Sequence, residues 1–268
     1  MKFTRLLVCS AAAVAALAIP AFAQQTSPGF HTAACFKVKP ENGDAYRKYV
    51  EDEVQKVGQA RVDDGELTSW YFLRAVFPQG ASAECDYLII AFFPNAPHAL
   101  GNEQLQAAIT KAGLKITPDD YKRHRDALST VVSLDVFRNV TYVGAPKKGD
   151  YFEVNYMRVT DANFDDWVAF EQKTWKPLAE AMVKDGVEDG WSVNIAAMPF
   201  GADLPYQGVT VDVYPSLDAV FADDAHFDDR FRKVHADLDP GLTFEQAEKL
   251  RTRSQVRLFS LDYMAAAH

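Results

Sequence analysis

Sliding the sequence on itself by 121 positions aligns residues 38–94 with residues 159–215 without a gap, and thirteen of those 57 pairs are identical. Average composition would give roughly three or four by chance, so the chain carries an internal duplication. The identities fall at structural punctuation, among them Asn42/Asn163, Asp44/Asp165, Gly65/Gly186, Trp70/Trp191, Pro78/Pro199, Gly80/Gly201 and Pro94/Pro215. A chain written twice must fold each copy alike and cover whatever apolar surface each copy leaves bare.

Each unit reads in the same order. A strand near 31–39 or 152–160 precedes an amphipathic helix, whose apolar face is Tyr46, Tyr49, Val50, Val54 and Val57 in the first copy. Trp167, Phe170, Trp175, Leu178 and Met182 form that face in the second. Gly65 and Gly186 follow the last periodic residue, where a helix ends on a left-handed glycine. A strand then starts near each tryptophan, which packs the helix end on the sheet. A Pro-x-Gly-Ala turn leads to a β-rich strand that stops at Pro94 or Pro215. Helix starts are read at Thr117-Pro118-Asp119-Asp120 and, with capping-box spacing, at Thr243-Phe244-Glu245-Gln246. Closing strands lie near 129–138 and 254–263. The unit is therefore βαββαβ, the ferredoxin-like split pattern, and the fold class is α+β. Two tandem units, 24–145 and 146–268, are expected to pack sheet to sheet, because helices cover only one face of each sheet.

On this element order and duplication the chain resembles the dimeric α+β barrel superfamily, with both halves in one polypeptide. In the second unit, Glu171-x3-Trp175-Lys176-Pro177 with Gly186 and Trp191 is similar to a string in exported bacterial barrel proteins of unknown function. The first unit has Val54-Gln55-Lys56 instead of Trp-Lys-Pro, and Pro177 should kink or restart its helix. The resemblance supports the fold far more than an activity. It permits cofactor-independent oxygenase or isomerase chemistry. It also brings in haem held by one helical histidine, for which His124 and His235 are the candidates. Both sit among charged residues, which fits a solvated helix face, and no cofactor is favoured.

Residues 1–23 carry Lys2 and Arg5, an alanine- and leucine-rich run and Ala21-Phe22-Ala23, the layout of a secretory signal peptide. The expected location is thus periplasmic or secreted, with no membrane attachment after cleavage. The chain holds 28 Lys+Arg against 37 Asp+Glu, and loss of residues 1–23 makes it more acidic still. That charge disfavours nucleic acid and anionic lipid as partners, leaving a small molecule and a possible second copy of the chain. Cys35 and Cys85 could pair after export. Counting at about 3.3 Å per residue along straight strands places them over 10 Å apart, so free thiols are expected.

Strand alternation sorts the faces. With Val209, Val211 and Val213 assigned to the helix side, Thr210, Asp212 and Tyr214 point into the barrel, as do Glu153, Asn155, Met157 and Asn194. The matching first-unit positions are Phe36, Ala34, Leu73, Ile89, Ala91 and Phe93. This pattern predicts a pocket with one apolar wall (Phe36, Ile89, Phe93) and a polar wall (Glu153, Asn155, Asn194, Asp212, Tyr214). Asp212 is the best candidate for a general base or ligand anchor, unless Arg257 or Arg158 pairs with it and makes it structural. The run Asp223–Asp229 lacks an ordered ligand pattern, so no metal is assigned. No phosphate loop, Gly-x-Ser-x-Gly or Cys-x-x-Cys occurs. The expected role is binding of a small, partly apolar molecule between the sheets. The alternatives are superfamily-type catalysis or a filled barrel serving as a protein-binding module.

Overall fold

A computed structural model describes residues 29–80, 83–98, 100–201, 203–222 and 224–266. Residues 1–23, read from the sequence as a signal peptide, lie outside the described residues. Eight antiparallel strands close into a barrel: β1 (Phe30–Val38), β2 (Ser69–Phe77), β3 (Tyr87–Phe93), β4 (Ser129–Gly144), β5 (Tyr151–Arg158), β6 (Gly190–Met198), β7 (Gly208–Tyr214) and β8 (Thr252–Ala266). The order around the barrel is β1-β3-β2-β8-β5-β7-β6-β4. Each unit supplies four contiguous strands, and the halves join by backbone ladders at two seams, β2 with β8 and β4 with β6. No helix among the described residues is long and apolar enough to cross a membrane.

The duplicated joints are built alike. The long helix of each unit ends in a Schellman turn: Glu66 N–H donates to Arg61 O (3.1 Å) and Val187 N–H to Met182 O (3.0 Å). Gly65 and Gly186 sit between at φ +71° and +74°, where a side chain would be strained. Trp70 packs so tightly on Gly58 that a Cβ there would lie 2.8 Å from the indole. A paired side chain braces the third strand of each unit: Asp86 Oδ2 accepts from Val38 N–H and Gln207 Oε1 from Val159 N–H, both at 2.8 Å.

Both long helices contain a π turn at the same repeat position, Val50–Val54 and Glu171–Trp175. Since Lys56 stands where the second unit has Pro177, the interruption belongs to the duplicated frame and proline is not its cause. The capping box at Thr117 forms, with Asp120 returning the bond. The one expected at Thr243 does not. Asp239 caps that helix and Pro240 begins it, so Thr243 lies inside and donates its hydroxyl to Asp239 O.

Cys35 and Cys85 form a disulfide with a Cα–Cα distance of 5.3 Å, correcting the expectation of free thiols. Cys35 does face Leu88, three residues beyond Cys85. However, β3 begins only at Tyr87, and residues before it leave the strand line and bend over the end of the barrel. Lys37 Nζ holds this bend through Ala83 O (2.7 Å), Gly80 O (3.0 Å) and Asp86 Oδ1 (2.9 Å).

Two expectations follow. Residues 24–145 expressed alone leave β2 and β4 as open edges beside a bare inner face, so gel filtration should show a dimer or aggregate. A well-behaved monomer of that fragment would count against closure by the seams. Thiol titration of the unfolded, non-reduced protein should find Cys35 and Cys85 unreactive. Replacing both by serine should cost about 2–4 kcal/mol in denaturant melts, given a 50-residue separation.

Candidate functional site: the barrel interior

The barrel encloses a cavity of about 1200 Å³. Its wall is mostly apolar, with Tyr71, Leu73, Leu88, Ile90, Phe92 and Phe152 on one side and Val154, Val209, Val211 and Val213 continuing it. Strand parity is therefore opposite to the sequence-based assignment on β1, β3, β5 and β7. Phe36, Ala34, Ile89, Ala91 and Phe93 pack under the helices of the first unit, although Phe93 also touches the rim of the cavity. Glu153, Asn155, Met157, Thr210, Asp212 and Tyr214 lie on the helix side of the second sheet. Leu73 and Asn194 face inward as expected. The reason is that both sheet faces are buried, one in the barrel and one under helices. The apolar valine row of β7 belongs to the cavity wall, while the helix-covered face of this unit is the polar one.

On the inward face, a polar strip crosses the seam between the two units. His31 on β1 is buried, and its ring lies between Phe137 (centroids 5.1 Å, stacked) and Phe92 (5.0 Å). Asn139 on β4 sits beside it, and Nδ1–H of the imidazole donates to Asn139 Oδ1 at 2.6 Å. Asn139 pairs in register with Asn194 on β6, whose amide donates to Ser192 Oγ at 3.1 Å. Thr141 Oγ1, buried on the same wall, has no partner among the described residues. Burial pulls the His31 pKa down to about 4, with the Asn139 bond opposing that shift. The ring is thus neutral at neutral pH. With Nδ1 committed, Nε2 carries the lone pair and accepts hydrogen bonds.

The repeat shows that this strip is not demanded by the frame. Position 31 corresponds to Phe152 in the second unit. Asn139 N–H bonds Gly29 O as Leu261 N–H bonds Asp150 O, so Asn139 corresponds to Leu261. Where the second unit has two core side chains, the first has an imidazole and an amide. Sequence reading missed both residues, yet a histidine opposite a repeat-equivalent phenylalanine was the available signal.

At the other end of the cavity Arg257 stacks on Tyr156 (5.1 Å) and donates to Cys85 Sγ at 3.6 Å. It does not meet Asp212, and Arg158 is exposed. Asp135 accepts there from Tyr206 Oη (3.2 Å) and Ser133 Oγ (3.2 Å). The histidines considered for haem lie outside the barrel and hold protein partners. His124 Nδ1 contacts Glu53 Oε1 at 2.9 Å and His235 Nε2 contacts Thr174 O at 2.8 Å, so neither fits as a ligand aimed into the cavity. Within the acidic run, Asp224 pairs with Arg230, and no group of three or more metal-ligating side chains occurs among the described residues.

Asp212 instead belongs to an acidic cluster. It accepts from Asn155 Nδ2 at 2.8 Å. Burial pushes its pKa up to about 7, with Glu153 and Glu171 adding to the rise. Burial likewise raises Glu188 to about 9, helped by Asp212 and Glu153, and Glu188 Oε2 has no partner among the described residues. The repeat-equivalent of Glu188 is Leu67, a core residue.

Solved structures resemble the chain in fold. A proposed monooxygenase from Lactobacillus acidophilus superposes with TM-score 0.57 and 13% identity, over 90% of this chain and 96% of that one. Another from Fusobacterium nucleatum gives 0.58 and 8%, over 90% and 95%. A chlorite dismutase variant from Candidatus Nitrospira defluvii gives 0.47 and 11%, over 88% and 91%. The chain thus has the dimeric α+β barrel fold, with both halves in one polypeptide. No family model matches the sequence, and no curated protein matches it.

The acidic cluster gives a pH dependence of definite sign. Both folded pKa values exceed the ordinary carboxylate range, so the stability linked to them is complete in acid and lost as pH rises through about 7 to 9. His31 is neutral in both folded and unfolded chains above pH 7 and does not contribute there. Melting temperature should fall between pH 7 and 9, by the equivalent of about 1–3 kcal/mol. Glu188→Gln should flatten most of that slope; an unchanged slope would show that the cluster is not its source.

Proposed function

We propose that the protein binds a small, largely apolar, ring-containing molecule in the barrel, with a hydroxyl or N–H group of the ligand donating to His31 Nε2. The observation that carries this reading is the cavity itself. It has room for a ligand, an aromatic and aliphatic wall, and one hydrogen-bonding strip that replaces core residues of the sister unit. A buried neutral imidazole is an acceptor that favours neutral donors, because taking a full proton there carries the desolvation penalty of a buried cation. Binding is therefore preferred to proton abstraction as the primary role. Oxygenase or isomerase chemistry is the second reading, favoured by the fold likeness to proposed monooxygenases and by the single tautomer that Asn139 imposes on His31. A protein-binding module is a poor account of so large an interior space. The disulfide supports an oxidising, exported location for the chain.

Fluorescence titration with 2-naphthol and naphthalene tests the reading. The wild type should bind both saturably and favour the naphthol. His31→Phe, which copies Phe152 of the second unit, should weaken the naphthol about tenfold, the loss of one hydrogen bond of roughly 1–1.5 kcal/mol, and leave naphthalene unchanged. Absence of saturable binding by either probe would overturn the proposal. Native mass spectrometry of protein purified from its own host should then identify the natural occupant.

A further inference from the structure

Arginine presents two parallel donors along one edge, Nε–H and one Nη–H, and a carboxylate takes both at once. Arg61 shows the filled arrangement in this molecule: Nε donates to Glu66 Oε2 at 3.0 Å and Nη2 to Glu66 Oε1 at 2.7 Å. Arg257 has the same edge only half filled. Its Nη2 donates to Glu84 and to Gln255 Oε1 (3.1 Å), and its Nη1 contacts Cys85 Sγ. The Nε is buried and has no partner among the described residues. Arg257 and Glu84 both line the cavity, the side chain of Arg257 8% exposed and that of Glu84 50% exposed.

We infer that the cavity takes a ligand bearing a carboxylate, which docks on the Nε/Nη2 edge of Arg257 and displaces Glu84 toward solvent. The inference rests on the binding reading above and adds the chemical class of the ligand. The orphaned buried donor is what points to an occupant, because such groups in folded proteins are normally satisfied by protein or by something bound. Glu84 serves as the stand-in anion. Half exposed and on the bend before β3, it can return to water without leaving a buried charge behind. Asp135, the other acid at this end, is held by Tyr206 and Ser133, and burial raises its pKa, so it competes less for the guanidinium. The two poles are well separated. β1 carries His31 at one level and Cys35, bonded to the Cys85 that touches Arg257, four residues on, or about 13 Å at strand rise. A ligand spanning them would have a carboxylate at one end, an apolar body and a hydroxyl or N–H donor at the other.

The test pairs probes of one shape, 2-naphthoate and 2-naphthol, each titrated by fluorescence and each required to displace the other. The wild type should bind the naphthoate at least tenfold more tightly. Glu84→Gln, which removes the internal competitor and leaves Arg257 in place, should tighten the naphthoate a further threefold or more without affecting the naphthol. Arg257→Gln should bring the ratio of the two near one while naphthol binding persists. If that variant fails to fold, the Glu84→Gln result decides alone. Naphthol binding with no preference for naphthoate, or no response to Glu84→Gln, would overturn this inference and leave the binding reading intact. Failure of both probes to bind would overturn the binding reading and this inference together.

Discussion

Closure of the sheet is the constraint on which everything else depends. An isolated ferredoxin-like unit of this chain would expose the backbone of β2 and β4 and an inner face of aromatic and aliphatic side chains. The long strands β4 and β8 each pair with a strand of their own unit on one side and with the other unit on the opposite side. Backbone hydrogen bonds thereby remove every edge, and the interior is defined by the curvature of eight strands. Eight-stranded barrels enclose just enough space for side chains or one small ligand. Small residues at some inward positions, such as Ala33, tip this one toward a cavity.

Within that frame the two units keep the same joints and differ in what they face. The Schellman turns, π turns and strand braces recur at the repeat spacing. The interior and the helix-covered faces do not. Cys35 and Cys85, bonded across the bend before β3, correspond to Tyr156 and Tyr206, whose rings meet edge to face at 4.8 Å. A covalent link in one unit occupies the place of an aromatic contact in the other, and both shut the same end of the barrel. The acidic cluster likewise stands where the first unit has Leu67 and Ala91 in a dry core.

Architecture was readable in the sequence because it rests on local signals: glycine at φ > 0, apolar periodicity at helical spacing, and a repeat that tests each assignment twice. The site was not readable, because facing depends on which buried side of a sheet is which. Alternation along β7 correctly separates valines from Thr210, Asp212 and Tyr214, but nothing in it says which set lines the cavity. The assignment puts the apolar valines under the helices, whereas here an apolar cavity adjoins a polar helix–sheet interface. The disulfide was missed for a different reason. The count of residues along β3 was sound only while the chain stayed extended, and before Tyr87 it does not.

Covalent joining of the halves has a consequence for what the interior can encode. In a barrel assembled from two identical chains every inward residue is written twice, so the cavity must look the same from either half under rotation. Here position 31 is histidine and its counterpart phenylalanine, and Asp135 lies opposite Arg257 in the equivalent ladder positions. The space they bound has a head and a tail. A guest inside it can be held in one orientation only, a form of information that no two-fold symmetric chamber can carry.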